Sequence, residues 1–389
     1  MEATLSLGGK CMPETMKAVR KVEPAHGLVL EEIPIPEIGR DEVLIAVEAA
    51  SVCGTDLHIW KWDEWAANRI NPPQTIGHEF AGTVVEIGPG VEQVGIGDYV
   101  SAESHITCGL CFQCRTGQAH MCPRTKILGV DRDGTFAEYV SVPEKVVWQN
   151  DRSKMPPEIA TLQEPFGNAV FATLVHELAG QSIAVLGCGP VGLFSIGIAK
   201  ASGAFSVLAV DINDYRLSLA KTMGADEVFN PFDDKDKSDV ADWLVEMNEG
   251  FGVDIVLEMS GAASSVDAAF RGVRNGGRVT LFGIPSKPVL IDVAESMIFK
   301  NLTVLALNGR RIFDTWYKTR WLLESKVVDL RPLISREVGL EDIEEAMQLL
   351  DGGEAGKIII RPNANLEVPE ASTEGREQDP NVHGQLFHR

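Results

Sequence analysis

The sequence predicts an α/β protein in two parts, a mainly β N-terminal domain and a doubly wound parallel-sheet domain. Short alternating strands separated by Pro and Gly turns fill the chain to about residue 150. From about residue 181 the pattern changes to apolar runs of five or six residues alternating with helical segments, the signature of a parallel sheet covered on both faces. At the first such change, a glycine-rich turn joins SIAVL to an apolar helical stretch.

Taken in order, residues 1–15 read as an extension, because the first clear strand pattern begins at Met16-Lys17-Ala18-Val19. Residues 16–165 form the β domain, with alternation at Val43, Ile45 and Val47 and again at Val84, Val85 and Ile87. Residues 166–310 form the parallel-sheet domain: SIAVLG and a helix to Ala201; SVLAVD and NDYRLSLAKTMGA; VDIVLEMSG and a helix to Arg274; then RVTLFG and NLTVLAL. The uncharged stretch Ser182 to Ala199 is about long enough to span a bilayer. Gly187, Gly189, Pro190 and Gly192 break it, so a buried strand, turn and helix is expected instead. Residues 311–362, with helical text at Phe313 to Ser325 and Glu341 to Leu350 and the strand AGKIIIRP, are expected to return to the first domain. Residues 363–389 are polar and read as a flexible tail, and no internal repeat is evident.

A 389-residue chain buries roughly three quarters of its unfolded surface, so it needs no metal merely to supply a core. Any metal must have a local task. With 56 acidic residues against 35 basic ones, the net charge of −21 argues against binding to nucleic acid or anionic membranes. The N-terminus carries no apolar run behind a basic segment, so a cytoplasmic location is expected. Seven cysteines, four of them within fifteen residues, point to metal rather than disulfides in such a chain.

Gly187-Cys188-Gly189-Pro190-Val191-Gly192 is a G-x-G-x-x-G between a strand and a helix. Its glycines turn the chain, let backbone approach a pyrophosphate and let helix pack on strand, while the helix N-terminus favours the negative charge. A ligand-free tight turn would explain the glycines alone, but not Asp211, nineteen residues after Gly192 at the end of the next strand. An acid there binds the adenosine ribose and repels a 2′-phosphate, so NAD is expected over NADP; Arg216 nearby could receive a 2′-phosphate or stack on adenine.

Cys108, Cys111, Cys114 and Cys122 offer four thiolates at spacings that wrap one tetrahedral Zn²⁺, in a lobe of about residues 104–123. Four sulfurs leave no open position, so the site is structural. A redox Cys-x-x-Cys would not need the third and fourth cysteines, and an iron-sulfur cluster stays open on ligand type. A nucleic-acid zinc ribbon is disfavoured by the acidic charge. Cys53 and the pair His78-Glu79 form a second constellation: one sulfur, one imidazole and one carboxylate suit a zinc with a free position. Alone, Cys53 would be a buried small hydrophobe and His78 a satisfied polar residue. Glu164, in apolar text, is expected to have a partner, as a neighbour of the ion, an alternate ligand or half of a salt bridge.

The pattern G-H-E-x2-G-x5-G from Gly77 to Gly88, with the cysteine lobe and the GCGPVG turn, resembles the zinc-containing medium-chain alcohol dehydrogenases over about residues 16–361. The resemblance implies a GroES-like catalytic domain and a Rossmann domain. Within that superfamily CGTDLHIWKWDEW, SHITCGLCFQC, EPFGNAV, DINDYRLSLAK and IFDTWYK resemble the branch that oxidises L-threonine at C3 to 2-amino-3-oxobutanoate, as NAD-dependent homotetramers. Carried over, Cys53, His78 and Glu79 hold the catalytic zinc and the four lobe cysteines the structural one. Thr55 and His58 match a proton relay, and Glu164 an acid near the zinc. Val191, Asp211, Arg216, the backbone at Phe282, Gly283 and Ile284, and the pair Leu307 and Asn308 match cofactor contacts, although the family pattern has an aromatic residue where Asn308 stands. A threonine site needs an anchor for a carboxylate and an acid for an ammonium, and Arg310 and Glu164 are the candidates. A polyol or secondary-alcohol dehydrogenase, or a zinc- and NAD-binding sensor without turnover, are the other readings.

Overall fold

The computed structural model of the chain describes residues 6–7, 10–11, 13–175, 177–233 and 239–363. It divides into two compact units, Met1–Glu164 with Arg336–Arg389, and Pro165–Ser335.

The first unit is built on Glu42–Ser51, which pairs antiparallel with Glu79–Ile87, Tyr139–Pro143 and Lys357–Ile360. The sheet continues through Tyr99–Ala102 to Val147–Gln149 on one side and reaches Ile334–Val338 on the other. The alternation at Val43, Ile45 and Val47 faces the main core, with Phe80, Phe136 and Ile358. The intervening Leu44 and Ala46 are also buried, in a second cluster with Met16, Ala18, Val85 and Tyr139. The strand is therefore covered on both faces, which simple alternation understates. Thr15–Lys21, Val29–Pro34 and Gln74–Thr75 make a separate three-stranded sheet.

The second unit carries six parallel strands in the spatial order Glu227–Phe229, Ser206–Val210, Ser182–Leu186, Val253–Glu258, Val273–Leu281, Thr303–Ala306. Numbered along the chain this is 3-2-1-4-5-6, the dinucleotide-binding order, whose direction reverses between the first and fourth strands. Every residue of Ser182–Leu186 is buried, as a strand with helices on both faces requires.

The return to the first unit comes at Arg336, not at residue 311. The helix Asp314–Glu324 stays with the second unit, burying Trp316, Thr319 and Leu323. Beyond it, Val328 packs on the helix Pro190–Ala201 at Gly197, and Tyr215 and Ser335 hydrogen bond at 2.9 Å. The amphipathic pattern showed that this segment packs without showing against what.

Most of the expected N-terminal extension and tail lie outside the described residues. Within them, Ser6–Leu7 pairs antiparallel with Lys10–Cys11, Thr15 already belongs to a strand, and Asn363 is anchored through Nδ2 to the carbonyls of Val47 (3.1 Å) and Glu138 (2.6 Å). Among the described residues no helix is long and apolar enough to cross a membrane.

Candidate active site

Cys53, His78 and Glu79 bring one ligand atom each within 4.8 Å of one another. Three elements converge to do this. Cys53 caps the helix Gly54–Lys61, and its amide donates to Asp56 Oδ2 at 2.9 Å. Glu79 opens the strand Glu79–Ile87 directly opposite Ser51, whose hydroxyl donates to Glu79 Oε2. The same oxygen accepts from Lys357 Nζ, which also donates to Val52 O at 2.8 Å. Lys357 and Glu79 are both fully buried, so one carboxylate oxygen is saturated. Glu79 Oε1 and His78 Nδ1 are buried without a hydrogen-bond partner.

Buried polar atoms left unbonded are uncommon, and here they sit among donors of zinc-binding type. The local field also favours a cation. Although burial lowers it, the His78 pKa is raised well above the usual imidazole value by the Cys53 sulfur, Asp56 and Glu164. Asp56, 3.7 Å from His78 Nδ1, is pushed up to about 6 by burial, against the pull of His78. The donor set fits a divalent ion bound through sulfur, nitrogen and oxygen.

The lobe cysteines form a second group. Their Sγ separations of 3.9 Å (Cys108–Cys114), 3.4 Å (Cys111–Cys114), 3.7 Å (Cys111–Cys122) and 3.6 Å (Cys108–Cys122) are far from disulfide length. They bracket the edge of about 3.8 Å that a tetrahedron with Zn–S bonds of about 2.3 Å demands. The Leu110 and Cys111 amides donate to Cys108 Sγ at 3.4 Å, and these bonds, Leu110's first, lower its thiol to about 6. The lobe stands on a short pairing of His105–Ile106 with Lys126–Ile127.

Thr55 Oγ1 lies 3.9 Å from Cys53 Sγ, and His58 follows one turn along the same helix. His58 Nδ1 is 2.5 Å from Asp63 Oδ2. Asp63 also caps the next helix, and the Ala66 amide and His58 overcome desolvation to hold its carboxyl below the usual range. His58 therefore donates from Nδ1. Glu164, whose charge acts on His78, accepts from Ser104 Oγ at 2.5 Å and gathers with Glu103 and His105 within 4.8 Å.

In the second unit the predicted cofactor residues collect at the carboxyl ends of the strands. Gly189 caps the helix Pro190–Ala201 with nothing within 4 Å of where a Cβ would stand. A Cβ on Gly192 would lie 2.0 Å from Gly187 O, so the helix can pack there only without a side chain. Asp211 ties the turn to the next strand: Oδ2 accepts from the Cys188 amide at 2.7 Å and Oδ1 from the Asn213 amide at 2.9 Å. The Arg216 amide donates to Asn213 Oδ1 at 3.1 Å, and its side chain is half-buried. Val191 sits in the helix's first turn; Phe282, Gly283 and Ile284 follow the fifth strand, and Leu307 and Asn308 the sixth. Arg310 is 2% exposed and bonded to Asn168 Oδ1 at 3.3 Å.

Residues 39–152 match the alcohol dehydrogenase GroES-like domain and residues 190–325 the zinc-binding dehydrogenase domain. Over 90% of this chain and 99% of each relative, the sequence is 46% identical to an L-threonine 3-dehydrogenase of Symbiobacterium thermophilum and 48% identical to one of Pyrococcus abyssi. The chain belongs to the L-threonine 3-dehydrogenase family of zinc-binding dehydrogenases. Solved structures agree with this family fold. An alcohol dehydrogenase from Thermus sp. ATN1 matches with TM-score 0.81 at 28% identity, covering 89% of this chain and 99% of that one. The 2R,3R-butanediol dehydrogenase from Bacillus subtilis matches with TM-score 0.80 at 30% identity, covering 90% and 100%.

Against this family pattern, sequence reading missed Ser51, Asp56, Asp63 and Lys357. Lys357 left a signal, since a single charge at the head of the apolar run Ile358-Ile359-Ile360 needs a buried partner. Ser51 left none, because only strand register places it opposite Glu79.

Proposed function

We propose that this chain oxidises the C3 hydroxyl of L-threonine with NAD as acceptor, giving 2-amino-3-oxobutanoate, as a zinc-dependent homotetramer in the cytoplasm. The observation that carries the reading is the Cys53–His78–Glu79 group, with Glu79 Oε1 buried and unbonded, in a chain of this family. When bound, zinc at that group acts as a Lewis acid that lowers the pKa of the substrate hydroxyl, and NAD at the glycine turn accepts the hydride.

The chain's own residues do the rest. Cys53, His78 and Glu79 would hold the ion, and Ser51 and Lys357 fix the Glu79 carboxylate through Oε2. Thr55 takes the hydroxyl proton toward His58, whose Nδ1–H is committed to Asp63 and whose Nε2 is thereby left as the acceptor. Glu164 supplies negative charge for the substrate ammonium. Cys108, Cys111, Cys114 and Cys122 would hold a second zinc, which would pin the lobe.

Gly187, Gly189, Val191 and Gly192 receive the pyrophosphate, and Asp211, fixed by two amides, receives the adenosine ribose with Arg216 beside it. A fixed carboxylate there supports NAD over NADP. Phe282, Gly283, Ile284, Leu307 and Asn308 line the nicotinamide end. The net charge of −21 supports a small-molecule substrate and no nucleic-acid or membrane partner.

NADH absorbance with L-threonine, L-serine, sorbitol, xylitol and 2,3-butanediol tests the reading. L-Threonine is expected to give the highest kcat/KM. A higher value for 2,3-butanediol or a polyol would move the assignment to a secondary-alcohol or polyol dehydrogenase, and NAD binding without turnover of any alcohol would make the chain a sensor. Sedimentation at working concentration checks the tetramer.

A further inference from the structure

We propose that Glu258 is a positioning residue for the dinucleotide: its buried carboxylate locks the Met259–Gly261 loop between the glycine turn and the Phe282–Ile284 segment, so that three backbones form one preset cradle. The proposal rests on the NAD reading above.

Glu258 ends the strand Val253–Glu258 and lies in register beside Leu186, the last strand residue before the glycine turn. It is 0% exposed. Oε1 accepts from the Ser260 amide (3.0 Å), the Ser260 hydroxyl (2.6 Å) and the Gly261 amide (3.0 Å), and the Gly261 amide is 3.2 Å from Oε2. The main-chain carbonyl of the same residue accepts from the Phe282 amide at 2.9 Å and the Gly283 amide at 3.0 Å. One residue thus fixes two segments, one through its side chain and one through its backbone.

The segments it fixes touch backbone to backbone. A Cβ on Gly187 would lie 2.9 Å from the Ser260 amide nitrogen, one on Gly261 2.5 Å from Ile284 O, and one on Gly283 2.1 Å from the Gly261 nitrogen. With no room for a side chain on any of the three glycines, a shift in the Ser260 loop displaces the glycine turn on one side and Phe282–Ile284 on the other. A buried carboxylate is costly to desolvate. Among the described residues its partners are these loop donors and no Lys, Arg or His, so its hydrogen bonds serve the loop and not an ion pair. It stands where the strand order reverses, the place at which sheets of this kind bind ligands. Holding the loop before the ligand arrives removes an ordering cost from binding.

NADH fluorescence titration of the full-length zinc-loaded enzyme and its Glu258→Ala, Glu258→Gln and Ser260→Ala variants tests this, with thermal melts and metal content recorded alongside. Glu258→Ala is expected to raise the NADH Kd about tenfold or more, the effect of losing several hydrogen bonds whose acceptor geometry presets a site. Its KM for NAD rises in parallel while its KM for L-threonine does not. Glu258→Gln keeps an acceptor oxygen at the Oε1 position and stays within about threefold of the parent, with Ser260→Ala between the two. An NADH Kd for Glu258→Ala within about twofold of the parent overturns the proposal. So does a Glu258→Gln variant as weak as Glu258→Ala, because charge and not the acceptor geometry would then matter. If Glu258→Ala does not fold, Ser260→Ala decides, and an unchanged Kd in that variant overturns the proposal. A parent chain that does not bind NADH overturns the NAD reading itself, a result distinct from variants that all bind alike.

Discussion

The four-cysteine lobe and the Cys53–His78–Glu79 group each gather metal-ligand donors within 4.8 Å, yet the chain assembles them from opposite resources. The lobe takes all its donors from one short segment and holds them with that segment's own amides. Its apolar side chains contribute little, since Leu110 and Phe112 are each 74% exposed. The other group draws on a helix cap, two neighbouring strands and a lysine that follows Val52 by 305 positions, all packed in the main core. An ion in the lobe therefore replaces a core, whereas an ion in the second group is held by one. The first should be needed for local folding and the second for chemistry.

Cys53→Ser attacks this contrast with the largest expected effect. The core stays intact, so the melting temperature changes little, while kcat/KM falls by more than about 100-fold, beyond the loss typical of an outer partner. Metal analysis should show about one ion per chain in place of about two. Near-parental turnover with both ions retained would remove Cys53 from the site. Lys357→Met ranks next. It leaves the three donors in place but strips Glu79 of its counter-ion, and it should weaken the ion's affinity there about 10- to 100-fold while the lobe keeps its own. Equal loss of both ions would mean that Lys357 supports the unit as a whole.

Cys111→Ser sharpens the contrast from the other side. A closed site reduced to three sulfurs should lose its ion first on chelator titration, and limited proteolysis should then cut between Ile106 and Lys126, the residues that pair at the lobe's base. Activity should fall less than about tenfold while the lobe is opened, because the Cys53 group is built on other elements. Resistance to the protease with one ion lost would show that the lobe folds without metal.

The same contrast governs what could be read from the sequence. The lobe was legible because its four ligands share a spacing, and the glycine turn because a strand, a helix and Asp211 frame it. Cys53 and His78-Glu79 were joined by donor type, one sulfur, one imidazole and one carboxylate, and the resemblance then gave them a role, since nothing local brings position 53 to position 78. Ser51 and Lys357 depend on strand register and on a return strand about 280 residues beyond Glu79, and neither leaves a local period. Glu164 was expected near the ion; its charge acts on His78, and its hydrogen bond from Ser104 is one that tertiary packing alone determines. The segment 311–335 has helical text that fits either unit, and contacts such as Val328 on Gly197 decide it.

The smallest effect is expected at Lys21. This buried side chain donates to the carbonyls of Ala25 (2.6 Å), Gly27 (2.6 Å) and Trp60 (3.3 Å), the last on the helix that Cys53 caps. Burial lowers its pKa from 10.5 to about 8, against the pull of Glu344 and Glu23. Lys21→Met leaves those carbonyls without their donor and should cost about 1–3 kcal/mol of stability, with turnover nearly unchanged below the melting temperature. The sign of its pH dependence is the sharper check. Between about pH 8 and 10.5 the unfolded chain holds the lysine proton that the folded chain has released, so parental stability gains from this group as pH rises. The variant has no such group, and its deficit in melting temperature should therefore widen from pH 8 to pH 10. A deficit that narrows would mean that the folded state grips the ammonium more tightly than water does. The helix bearing Cys53 would then be anchored by charge as well as by packing.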